Sequence, residues 1–347
     1  MKGKMGSTVR IIVFSYLMFE LLLVAVQAQS GTYDTDNGRI LIVDPQGEGQ
    51  FLTINEAVSH AQPGDTIFIK QGSYEEIITI TKPIHLIGEE KDSTKINPIS
   101  DTNKYAIRLG ATGATLGNLC ITNYAPGLYT TAIRITAPGT TVDNCKIQST
   151  PIGIALWSSY TTITNCTFQS CEDEGIALLG SQRSPCHSNI ITDCVFANNC
   201  DGIELQHAPD NLIQNCVFDD NTHTGIDAIA SENNNNSIVN CTIVNNHVHG
   251  IYLSASSDNS IINCDFHNNK DGHVVTTASS FNTIISPGLN DKTKEHTVYQ
   301  FSQPSFQQSN PIPEKEQDSM SIGQNILENV PALNMLVSII KMMFSSL

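Results

Sequence analysis

Apolar and polar positions alternate with a period of two through most of this chain, in short runs broken by Gly, Asn, Asp and Ser. That pattern predicts short strands rather than helices. Two linked series organise them. One is Asn or Asp, then Cys, a variable residue, and Ile or Phe: NCKI at 144–147, NCTF at 165–168, DCVF at 193–196, NCVF at 215–218, NCTI at 240–243 and NCDF at 263–266. The other is Gly-Ile-x-Leu or a near relative, starting at Gly153, Gly175, Gly202, Gly225, Gly250 and Gly272. Successive members lie 21 to 28 residues apart in both series, so this is one repeating unit.

A unit of that length holds two or three strands and no helix, and buries its apolar face only by stacking on its neighbours. The expected fold is all-β: a single-stranded right-handed parallel β-helix of about ten coils. Weaker matches extend it backwards through AIRI at 132–135, LGNLCI at 116–121 and AIRL at 106–109. ILIVD (40–44), TIFIK (66–70), IITIT (77–81) and IHLIG (84–88) read as further strands. TINEAVSHA at 53–61 places Ile54, Ala57, Val58 and Ala61 on one helical face, a capping helix for the open end of the stack.

The run VDPQGEGQFLTINEAVSHAQPGDTIFIKQGSYEEIITITKPIHLIGE resembles the opening of the pectate-lyase-like superfamily and is similar to the first segment of pectin methylesterases. The coils after it resemble carbohydrate-binding and sugar-hydrolase β-helix repeats, NosD-type proteins included. The resemblance implies polysaccharide as partner, with copper delivery as the NosD-type alternative. It departs from the family patterns at the site: where mannuronan epimerases carry Tyr-Gly-x-Asp-Pro-His, TGIDAI keeps Gly225 and Asp227 but has Thr224 and Ile229 at the outer positions.

The ends differ from the repeat. Lys2, Lys4 and Arg10 precede an apolar run from Ile11 to Val26 and small residues to Ala28, which reads as a signal peptide over 1–28. A linker at 29–39 then leads to the β-helix domain at 40–302. The expected location is secreted or cell surface, periplasmic if the host has an outer membrane. Residues 303–318 read as a polar linker and 319–347 as an amphipathic helical tail, whose segment 331–347 caps the last coil, lies on a membrane surface or pairs with another chain. The net charge of -16 disfavours nucleic acid as a partner and makes a bare polyanion dependent on a local basic patch or a bridging cation.

Ten cysteines raise the question of disulfides. Six of them (Cys145, Cys166, Cys194, Cys216, Cys241, Cys264) share one ladder position and are expected as stacked core thiols. Cys171 and Cys200, at nearly matching loop positions, are the candidate disulfide. The Asn of the ladder suits left-handed turns.

Strand alternation turns the x of Gly-Ile-x-Leu outward, giving a column of Arg108, Arg134, Ala155, Ala177, Glu204, Asp227, Tyr252 and Val274. Glu174, Asp201, His223, His247, His249 and Asp271 crowd the strand starts, and His207 follows one strand end. Glu204, Asp227, His223, His249 and Tyr252 are the candidate catalytic groups, for proton abstraction from a uronate or for glycoside hydrolysis. Arg108, Arg134, Trp157, Asp201 and His207 are the candidate substrate-binding set. Glu204, Asp227, His247 and His249 are the candidate metal ligands, for calcium or alternatively copper. Three readings stay open: a polysaccharide lyase, epimerase or hydrolase, a metal accessory protein, and a structural surface protein whose polar face is simply solvated.

Overall fold

The computed structural model describes residues 38–98, 105–125, 127, 129–286 and the backbone of 298–301. The expected leader, the linker at 29–39 apart from its last two residues, the linker at 303–318 and the helical tail lie outside these residues. Three parallel sheets form the molecule. In each coil the chain passes through sheet 1 (eleven strands, Ile40–Val43 to Thr283–Ile285), sheet 2 (nine strands, Gly72–Tyr74 to Asp265–His267) and sheet 3 (ten strands, Ile78–Ile80 to Val298–Phe301). Each strand pairs with its counterpart in the next coil, as at Val195↔Val217 and Val217↔Thr242. This is a parallel β-solenoid of about ten turns. The three-residue strands Gly72–Tyr74 and Thr94–Ile96 lie outside the Asn-Cys and Gly-Ile-x-Leu series and did not stand out as separate elements.

The stacking has a direct physical signature. Phe168, Phe196 and Phe218 form a core column with centroids 4.8 Å apart and planes within 4°, the spacing of paired strands. Burying each ring contributes about 2–3 kcal/mol. The six ladder cysteines are buried beside this column, and all ten cysteines are free thiols. The Cys171–Cys200 disulfide is therefore not formed, and register explains why. Cys171 heads a column continued by Asn199, donating its N–H to Asn199 Oδ1 at 2.9 Å, whereas Cys200 lies one residue further and pairs through its N–H with Asp173 O. An offset of one residue points the two side chains in different directions. Burial pushes the Cys171 thiol up to about 12.

The corners use left-handed backbone. Asn118, Asn144, Asn165, Asp193, Asn215, Asn240 and Asn263 sit at φ 48° to 55° between sheets 1 and 2, as the ladder predicts. A second column at φ 51° to 58° runs through Ser149, Ser170, Asn198, Asp220, Asn245 and Asn268. After the last four of this second column the next residue is an asparagine that turns inward. Asn199, Asn221, Asn246 and Asn269 are buried and hydrogen-bond amide to amide, for example Asn221 Nδ2 to Asn246 Oδ1 at 2.9 Å. At the corner leading back to sheet 1, Asn189, Asn211, Asn236 and Asn259 each donate the backbone N–H to Oδ1 of the next member, Asn282 being the last, with added amide-to-amide bonds at Asn189–Asn211 and Asn259–Asn282. Helix α1 (Ile54–His60) buries Ile54 and Ala57 over the first strands, as expected for a cap. Thr53 Oγ1 accepts from Glu56 N, and the Glu76 carboxylate accepts from Ile54 N and Asn55 N at 2.8 Å.

Candidate active site on the outer face of sheet 3

Sheet 3 positions the candidate residues. Its registered outer column is Arg108, Arg134, Ala155, Ala177, Glu204, Asp227, Tyr252 and Val275. The last member corrects Val274, which pairs with Ile251 and is fully buried, because Gly272 aligns with His249 rather than with Gly250. The repeated glycine also has a specific task. A Cβ on Gly202 would stand 2.5 Å from Gly225 O and 2.5 Å from Phe218 Cδ1, so this position faces the core, and Ile203 after it is fully buried too. Alternation slips by one residue there. Asp201, three positions before Glu204, therefore shares the outer face with it.

The result is a tight cluster. Asp201 Oδ1 lies 2.8 Å from His223 Nδ1 and also accepts the N–H of Thr224 at 2.8 Å. Asp227 Oδ2 lies 3.7 Å from the same His223 nitrogen. The carboxylate side chains of Asp201 and Asp227 are only 8% and 6% exposed, while that of His223 is 44% exposed, so the imidazole is the member solvent and ligands reach. Asp227 Oδ1 and Glu174 Oε2 are buried without a hydrogen-bond partner.

Burial sets the protonation of this group. It pushes Glu174 up to about 8, with Asp173 and Glu204 adding repulsion. It pushes Glu204 up to about 7, reinforced by Asp227 and Asp201, and Asp227 up to about 7 with help from Asp201 and against the pull of His223. Asp201 is raised by burial as well, opposed by His223. Near neutral pH the cluster thus holds protons on carboxyls beside an oriented imidazole. That is the combination acid–base catalysis needs. His249 is lowered by burial, and its ring stacks on Tyr252 at 5.3 Å. The Tyr252 hydroxyl is engaged with Thr277 Oγ1 at 3.0 Å.

The remaining candidates divide. Arg134 is clamped between the rings of Tyr105 and Trp157, at 5.3 and 5.1 Å, and donates to Tyr129 O at 3.2 Å. Arg108 reaches Thr136 Oγ1 at 3.4 Å. His207 Nδ1 leaves the cluster for Glu232, 3.4 Å away without hydrogen-bond geometry. The expected metal set of Glu204, Asp227, His247 and His249 does not assemble: His247 Nε2 pairs with Asp220 at 2.9 Å. Among the described residues the metal-capable group is Asp201, His223 and Asp227, with ligand atoms within 4.8 Å of one another. One nitrogen and two carboxylates do not supply the six to eight oxygens calcium takes, and suit copper or zinc better. The 2.8 Å contact between His223 and Asp201 is that of a direct hydrogen bond. Glu174 is the member sequence reasoning left among the turn residues. The available signal was its position before Gly175, matching Asp201 before Gly202.

Two overlapping matches, residues 86–234 and 131–287, to the family described as right handed beta helix region together cover more than half of the chain. The chain belongs to the right-handed β-helix family. A probable pectinesterase 56 from Arabidopsis thaliana is 28% identical to this β-helix protein over 168 residues, 42% of this chain and 58% of that one, so the chain spans less than two thirds of that relative. Among solved structures, pectate lyase Pel9A matches with a TM-score of 0.51 at 15% identity, covering 72% of this chain and 78% of that chain. The enzymatically active domain of bacteriophage CBA120 tailspike protein 2 matches with a TM-score of 0.50 at 12% identity, covering 72% and 43%. At these identities the likeness is one of fold alone, the parallel β-helix.

Proposed function

We propose that this β-helix protein acts on a uronate-containing polysaccharide outside the cell, by acid–base chemistry at the Asp201–His223–Glu204 cluster. The observation that carries this reading is the 2.8 Å Asp201–His223 contact beside carboxyls whose pKa values burial raises. Asp201 accepts the Nδ1 proton, which fixes the tautomer and leaves the Nε2 lone pair facing out as a base. His223 removes the proton on the carbon next to the uronate carboxyl. Protonated Glu204 gives its proton to the glycosidic oxygen, the C–O bond breaks, and a double bond forms between the two ring carbons. Burial, with the neighbouring charges of Asp227 and Asp201, holds Glu204 in its acid form.

The names of the pectinesterase relative and the pectate lyase neighbour support a polysaccharide as substrate. The leader-like residues 1–28 suit an extracellular place. The test is incubation with pectate, methylated pectin, alginate and mixed uronate–hexose polymers, following unsaturated uronate. Wild type should release it from at least one polymer, and His223→Ala and Glu204→Gln should release none. Absence of product from every polymer would remove the enzymatic reading.

A further inference from the structure

Past Ala177 and Glu204 the outer face of sheet 3 continues into a cleft of about 530 Å³, bordered by Tyr129, Trp157, Leu179, Ser181, Ser184 and Gln206. None of these side chains is charged at neutral pH. Gln206 lies two positions along the strand from Glu204, about 7 Å, so the cleft adjoins the acid–base cluster. Trp157 is braced by the Arg134 guanidinium, itself held by Tyr105 and the Tyr129 carbonyl. Even so, Trp157 stays 39% exposed and Tyr129 73%.

We propose that this cleft is the subsite for an uncharged pyranose, next to the sugar that reacts at Glu204. A pyranose has an apolar C–H face and a rim of hydroxyls. Trp157, Tyr129 and Leu179 present flat apolar surface to the first, and Gln206, Ser181 and Ser184 offer donors and acceptors to the second. A uronate here would meet a lining with no charged side chain, and the nearest guanidinium, Arg134, is held by Tyr105, Trp157 and the Tyr129 carbonyl. The substrate class that follows is a heteropolymer in which a neutral sugar adjoins a uronate. That second half rests on the acid–base reading, whereas the neutral-sugar subsite stands on the cleft alone.

Trp157 is the one tryptophan of the chain, so its emission reports on this cleft specifically. The full chain carrying Glu204→Gln, to prevent turnover, is titrated with a neutral hexose tetramer, a tetragalacturonate and a tetramer alternating galacturonate with a neutral hexose. Binding is read in parallel by calorimetry. The neutral and mixed tetramers should bind with a saturable change in Trp157 emission and little salt dependence, and Tyr129→Ala and Gln206→Ala should each weaken them about tenfold or more. The proposal falls if tetragalacturonate binds there as well as the mixed tetramer, or if the neutral tetramer binds nowhere, or binds unaffected by both substitutions. Neutral-sugar binding without product from wild type would leave the subsite standing and remove the acid–base reading. Product from a pure uronan with no effect of Tyr129→Ala would do the reverse.

Discussion

Replacing Glu174 by Gln tests whether the cluster stores protons in the folded protein. Glu174 is 6% exposed, and its pKa rises from 4.5 to about 8 through burial first and repulsion from Asp173 and Glu204 second. In the unfolded chain it ionises near 4.5, so between about pH 4.5 and about pH 8 the native state binds a proton the unfolded state has lost. Stability must then fall as pH rises across that window, by about 1.4 kcal/mol per pH unit and on the order of 5 kcal/mol in all. Gln keeps the shape and has no proton to lose. Urea unfolding of both proteins, followed by Trp157 emission at pH values from about 5 to about 8, should give a wild-type stability that declines more steeply than that of Glu174→Gln. The difference should approach one proton, leaving the variant several kcal/mol more stable at the alkaline end. Parallel slopes would refute the assignment of a stored proton to Glu174.

Three further outcomes follow from the geometry. Gly202→Ala forces a methyl group against Gly225 O and the Phe218 ring, and should cost about 3 kcal/mol or more of stability; an unchanged thermal midpoint would contradict the inward slip of the strand. Asn221→Ala removes an amide that accepts from the Asn199 backbone and side chain at 3.1 Å and donates to Asn246, and should cost about 2–3 kcal/mol. Calorimetric titration with calcium should show no stoichiometric site, because Asp201, His223 and Asp227 supply too few oxygens; a copper site lost in His223→Ala would replace the acid–base reading with metal capture.

The solenoid was legible because each coil repeats its Cys, Gly, Ile and Phe positions, and stacking turns a sequence period into columns. Of the candidate residues between positions 201 and 227, the structure gathers Asp201, Glu204, His223 and Asp227 and sends His207 to Glu232. What stayed hidden depended on single-residue register. Asn198-Asn199 and Asn245-Asn246 look like ordinary polar turns, yet the first of each pair takes the left-handed corner and the second becomes a buried rung. Cys171 and Cys200 miss each other by one position, and Gly272 shifts the last coil so that Val275 rather than Val274 ends the outer column. Arg134 read as a substrate-binding residue from its column position. Its clamp between Tyr105 and Trp157 depends on side chains from three coils, which no local pattern encodes.

Proton nuclear magnetic resonance of a uronate-bearing polymer incubated with the protein in heavy water follows the proposed bond changes themselves. Wild type should erase the signal of the proton beside the uronate carboxyl and bring up a vinyl proton, and His223→Ala should do neither. Chain cleavage with that proton retained, or its loss at the wild-type rate in His223→Ala, would contradict the account.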